Sequence, residues 1–190
     1  GAWFRATILF ILALIGTVGM WSVVVFIPDI EKEFGLDRGT SSLLYAFTMI
    51  GFGFGTVVIG KVYDKFGIKK PILLATFVLI TSYYFYSIFP FYWQFLILQF
   101  FMGFAASAFF GPAMADISNF FNKQRGFALS IVASANYVAG ATWPLLIGYF
   151  LTFIDWRAAH FWISICLFIM IPLILLLKNA SVDESKSHDM

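Results

Sequence analysis

The chain has 190 residues, 61% of them hydrophobic, 21% aromatic and only 12% charged, with a formal net charge of +2. A soluble domain carries about 45–50% apolar and about 25% charged residues, so a globule of this length cannot bury so much apolar surface and a bilayer has to solvate it. The one cysteine, Cys166, lies in an apolar run, which excludes disulfides and cysteine metal clusters; no nucleic-acid partner and no cofactor are expected.

A transmembrane helix needs about 20 mainly apolar residues, and six stretches meet that length. In chain order they are 7–27, 41–59, 71–89, 91–117, 126–153 and 158–177. The apolar runs are continuous, which favours helices over the alternating strands of a barrel. The first run follows Arg5 but ends in Pro28-Asp29 rather than at a small-residue cleavage site, so it reads as a span and not as a signal peptide. The fourth and fifth exceed the minimum and are expected to tilt or to project beyond the bilayer. Phe89 to Trp93 carries no charge and reads as a tight turn. Residues 178–190 have the polar composition of a linker. A start at Gly1 and a polar end make the chain read as part of something longer.

Lysine and arginine are distributed unevenly. Arg5, Lys61, Lys65, Lys69, Lys70, Lys123, Arg125, Lys178 and Lys186 fall on one side, against Lys32, Arg38 and Arg157 on the other. The positive-inside rule then predicts cytoplasmic termini, and a plasma or inner membrane is the expected setting. Small residues recur at helical spacing: Gly51, Gly55 and Gly60; Gly103, Ser107 and Gly111; Gly140, Pro144 and Gly148. Such seams let helix backbones approach closely where lipid gives no hydrophobic drive for association. Pro112 and Pro144 within spans predict kinks.

The stretch "GKVYDKFGIKK" supplies Gly60, Asp64, Lys65, Gly67, Lys69 and Lys70 at fixed spacing. A basic turn alone would mark topology, but topology needs neither an aspartate nor two placed glycines. The spacing resembles the signature loop between helices 2 and 3 of the major facilitator superfamily of transporters. "PAMADISNFFNKQRGFALSI" is similar to the same family around helices 4 and 5, with Asp116 and Arg125-Gly126 at the family's acidic and basic-glycine positions. "GATWPLLIG" is a degenerate form of the helix 5 seam, Trp143 standing where a glycine would precede the proline. Gln99 stands where many members carry arginine, which weakens any proton-coupling or anion-binding reading there. "FGLDRGTSSLLYAF" and "FIDWRAAHFW" look like the monocarboxylate-porter and oxalate:formate-exchanger branch.

The resemblance implies an all-α membrane fold of six helices in two inverted three-helix repeats. It also implies that the chain is the first half of a twelve-helix secondary transporter that moves a small solute, such as a small carboxylate, by alternating access. The partners implied are the lipid bilayer, a small-molecule substrate with a coupling proton or other ion, and the missing C-terminal half. Asp64 would meet that half, and Lys65 would pair with Asp116 as a latch. Trp21, Tyr45, Gln99, Asn136 and Tyr137 are candidates for the substrate path, with Gln99 and Asn136 equally suited to cross-helix hydrogen bonding. His160 reads as an interfacial residue. No His-Glu-x-x-His, Gly-x-Ser-x-Gly or Walker pattern occurs, so no enzyme is expected and no metal site. A complete six-helix protein that works as a dimer, or a scaffold or sensor, stays open as an alternative.

Overall fold

The computed structural model describes residues 1–177. The tail expected over 178–190, with Lys178 and Lys186, lies outside them. Among the described residues six helices are long and apolar enough to cross a membrane: α1 (Ala2–Phe34), α2 (Arg38–Phe66), α3 (Lys69–Ile88), α4 (Tyr92–Phe120), α5 (Arg125–Phe150) and α6 (Trp156–Leu175).

The helix ends follow local chemistry. α1 does not stop at Pro28, where the hydropathy pattern ends; it runs on to Phe34. One proline removes one backbone donor, and the helix on either side continues. The stop comes at Gly35, whose φ of 63° turns the chain so that Leu36 N–H bonds back to Glu31 at 3.0 Å. Asp37 and Asp155 cap the starts of α2 and α6, each carboxylate accepting a backbone N–H at 2.6 Å, from Thr40 and Ala158 respectively.

Proline acts more strongly at two other places. Pro112 has no N–H to offer the Ala108 carbonyl, and α4 tightens into a 3-10 turn over Ser107–Phe109 before restarting at Gly111. The sequence predicts a kink inside a helix here; the structure has a break, with Pro112 in the first turn of the restarted segment. Pro172 has the same relation to Phe168, within the 3-10 turn Leu167–Ile169 of α6. α5 passes Pro144 unbroken. α1 has its own discontinuity at Thr17.

The most intimate pairing is α2 with α4; α1 with α5, α3 with α6 and α3 with α4 follow. Advancing each helix number by three maps α2–α4 onto α5–α1 and α3–α6 onto itself, as two related three-helix units would. The α2–α4 seam is made by glycine. A Cβ on Gly51 would strike the Phe100 carbonyl oxygen, one on Gly103 the Thr48 carbonyl oxygen, and one on Gly55 Ser107 and Phe104. Gly60, Gly111 and Gly148, expected in the same kind of seam, face open space in this chain.

His160 departs furthest from expectation. It is buried, not interfacial, with its ring parallel to that of Tyr86 (4.1 Å between centroids) and 4.0 Å from Phe26. Its Nδ1 donates to the Trp156 carbonyl at 2.7 Å. The cluster continues through Phe95 and Tyr83, whose hydroxyl shares a 2.6 Å hydrogen bond with Ser22. Between α5 and α6 lies a groove of about 520 Å³ walled by Ile15, Trp143, Phe150, Trp162, Cys166 and neighbouring apolar side chains.

Candidate functional site

The signature loop closes one end of the bundle, called the loop end below. Asp64 and Lys65 lie in the last turn of α2, not beyond it; the helix ends at Phe66, and Gly67 (φ 77°) reverses the chain. That backbone conformation explains the second fixed glycine. Lys69 and Lys70 open α3. Lys70 Nζ sits 4.0 Å above the Phe66 ring and Lys65 Nζ 5.2 Å from it. Asp64, Lys65 and Lys70 are exposed, as is Arg125 at the start of α5. None of the ion pairs among the described residues involves them. A carboxylate at a helix C-terminus is unfavourable without a counter-charge, and Asp64 stands exposed there beside Lys65.

Lys65 does not pair with Asp116. The partner of Asp116 is Arg5, whose Nε and Nη2 donate to the two carboxylate oxygens at 2.5 and 2.7 Å. Both residues are buried, 7% and 4% exposed. Such a fork-to-fork pair is directional as well as strong. The guanidinium also rests 4.2 Å from the Phe120 ring, and Trp3 packs edge-on against Phe121. Nearby, Asn119 Nδ2 donates to the Tyr63 hydroxyl at 3.3 Å, linking the ends of α4 and α2. Sequence reasoning treated Arg5 as a flanking topology charge. Its partner is 111 positions away, and nothing local signals the pair.

At mid-depth two of the path candidates meet. Trp21 Nε1 donates to Asn136 Oδ1 at 3.1 Å, and the indole lies against Gly140, where a Cβ would approach it to 3.0 Å. Both are half-buried. Gln99 is a structural tie, 1% exposed and donating to Thr48 Oγ1 at 2.8 Å across the glycine seam. Tyr45 and Tyr137 are exposed, Tyr137 at 75%. Trp143, which seemed only to spoil a glycine position, donates its Nε1 to the Leu14 carbonyl at 2.7 Å and holds α5 to α1.

The far end is tied by side chains around the starts of α2 and α6. Arg38 pairs with Glu31 at 2.9 Å, and Ser41 donates to the same carboxylate. Glu33 accepts from Arg157 at 3.0 Å and from Trp156 Nε1 at 2.8 Å, while Arg157 also reaches the Phe89 carbonyl. The Thr40 N–H held against the Asp37 carboxylate pulls its pKa below the usual value. These residues cap and clamp. Among the described residues no cluster of His, Cys, Asp and Glu is placed to hold a metal ion.

Residues 9–189 match the Major Facilitator Superfamily. The fujikurins efflux protein of Gibberella fujikuroi is 32% identical over 97 residues, which is 50% of this chain and 21% of that one. The uncharacterized MFS-type transporter YdgK of Bacillus subtilis is 25% identical over 180 residues, 90% of this chain and 44% of that one. The structure of the proton:xylose symporter XylE, solved with 6-bromo-6-deoxy-D-glucose, superposes with a TM-score of 0.82 at 11% identity, over 98% of this chain and 48% of that one. The chain thus spans less than half the length of each of these proteins.

Proposed function

The chain belongs to the major facilitator superfamily, and we propose that it acts as the first six-helix half of a secondary active transporter that moves a small solute by alternating access. The observation that carries this reading is a bundle of six spans among the described residues, which superposes over 98% of this chain on 48% of a transporter of like fold. In this reading both termini and the signature loop face the cytoplasm of a plasma or inner membrane. Asp64 and its neighbouring lysines engage the second half there, and the substrate binds near mid-depth between halves.

The residues of this half bear on the substrate. Among the described residues no lysine or arginine stands mid-helix in a span, and the one buried cation, Arg5, is neutralised by Asp116. A carboxylate substrate, as the branch resemblance implies, would therefore take its counter-charge from the second half. What this half offers is an indole, an amide and phenols: Trp21, Asn136, Tyr45 and Tyr137. Export of an uncharged amphipathic organic molecule is the second reading, favoured by the relative named for efflux of fujikurins.

Uptake and efflux by vesicles carrying the full-length protein test both readings. The screen compares small carboxylates, sugars, amino acids and uncharged aromatic compounds, each with and without a proton gradient. Gradient-dependent flux of one class, with its KM raised in Asn136→Leu, is the expected result. Absence of flux for every class in both directions would overturn the transport reading.

A further inference from the structure

α1 and α4 are interrupted, as α6 is, and the interruptions of α1 and α4 touch. α1 leaves its helical path at Thr17 (φ −91°, ψ 6°), and α4 does so over Ser107–Phe109 and at Phe110 (φ −109°, ψ −80°). The Phe109 ring lies on Gly16 so closely that a methyl group there would overlap it. At the loop end of the same two segments, Arg5 and Asp116 close the buried two-bond ion pair. Ala2–Gly16 and Gly111–Phe120 are therefore joined at both ends, by an aromatic seat at the interruption and by the charged pair at the tip.

The rest of α4 is held differently. Its segment Tyr92–Ala106 is pressed backbone to backbone against α2 through Gly51, Gly55 and Gly103, and Gln99 bridges to Thr48 in the same seam. Below the interruption Asn119 reaches α2 through its exposed hydrogen bond to the Tyr63 hydroxyl. One rigid part and one lightly tethered part meet at a place where the i→i−4 ladder gives way to a long 3-10 bond, from Phe110 N–H to the Ser107 carbonyl at 3.3 Å, so little helical hydrogen bonding opposes bending there. Pro112 keeps the α4 interruption permanent, because the Ala108 carbonyl has no donor to recapture.

We propose that the loop-end halves of α1 and α4 form one jointed unit that swings about Thr17 and Ser107–Phe110 when the transporter changes access, with Arg5–Asp116 as the clasp that makes the two half-helices move together. The proposal rests on the alternating-access reading. Separating the pair would leave two uncompensated charges in an apolar setting, so the clasp holds while the joint bends. Arg5 and Asp116 are positioning residues in this scheme and touch no substrate. The signature loop is drawn in as well, since Tyr63 ties the end of α2 to the moving α4 segment.

Pulsed EPR on the full-length transporter in nanodiscs tests this, in a background with Cys166→Ala and every other cysteine removed. Spin labels at Thr7 and Ser118 report distance within the unit; labels at Thr7 and Val24 report distance across the α1 joint. Without added ligand, between pH 5.5 and pH 8, the wild-type pairing is expected to give one narrow Thr7–Ser118 distance and two populations for Thr7–Val24. The double variant Arg5→Gln/Asp116→Asn, which leaves no unpaired charge and so keeps the bundle foldable, is expected to split or broaden Thr7–Ser118 at least twofold. A Thr7–Val24 distance that stays single and narrow would overturn the joint. A Thr7–Ser118 distribution that the double variant leaves unchanged would overturn the clasp. If both distances behave as stated while vesicles carry none of the screened solutes, the failure belongs to the transport reading and not to the jointed unit.

Discussion

Replacing Gly51 by alanine would drive a methyl group onto the Phe100 carbonyl oxygen in the α2–α4 seam. Overpacking in a tight interior costs about 1–3 kcal/mol. The obstructing atoms here are backbone, so no rotamer change relieves them and the two helices have to separate. Alanine also brings a helix-propensity gain of about 1 kcal/mol over glycine, which acts in the opposite direction. Gly53 isolates that term: it lies in the same helix, two residues away, and has nothing within 4 Å of an added Cβ. The Gly53→Ala variant should gain up to about 1 kcal/mol, and Gly51→Ala should fall below it by about 1–3 kcal/mol. Thermal unfolding followed by intrinsic tryptophan fluorescence in one detergent measures the gap, with Gly103→Ala as a second seam variant that meets the Thr48 carbonyl. Equal melting of Gly51→Ala and Gly53→Ala would refute backbone contact as the basis of the seam.

Three further outcomes follow from the same contacts. Gln99→Leu should lower stability by about 1 kcal/mol through loss of the bond to Thr48 and leave the KM for transport unchanged, since the amide is enclosed; a shifted KM would return Gln99 to the substrate path. His160→Ala should destabilise by about 3–5 kcal/mol, in the range of a buried aromatic truncation, whereas His160→Phe should recover most of that; equal loss in both variants would mean that the Trp156 hydrogen bond and not the ring stack matters. The folded Asp37 carboxylate titrates below its unfolded value, so its cap contributes above the usual aspartate range and is lost as pH falls through the lowered pKa. The stability gap between wild type and Asp37→Ala should therefore close on acidification below about pH 4, and a gap that is independent of pH down to full protonation would contradict the cap.

How much could be read from the sequence depends on how far apart the interacting atoms lie along it. The six spans are legible because hydropathy is a local sum, and the signature loop because its glycines and charges occupy eleven consecutive positions. Gly67 is a case where spacing pointed to a residue and the φ of 77° supplies the cause. The ends of α1 were misjudged because Pro28 looks like a stop, while the stop is a left-handed glycine seven positions on. Arg5 was legible only as one cation among nine, since the depth at which its helix starts and the presence of Asp116 beside it are tertiary facts. The same holds for Trp143 and Leu14, and for His160, whose neighbours come from α1 and α3. Gln99 was left between two roles because an amide in hydrocarbon needs a partner in either; the position of Thr48 decides between them.

The groove between α5 and α6 bears on what counts as the interior of this protein. Its wall is apolar and open on one side, and it offers water almost none of the two to four hydrogen bonds that a well-held site requires. In a bilayer a hydrocarbon chain suits such a wall, and where one lies in the groove the packing of α5 against α6 is completed by the solvent. Exchange of lipid for a short-chain detergent is then a core mutation made without touching the sequence, and the single thiol on the groove wall, Cys166, sits where a membrane-soluble reagent would register it.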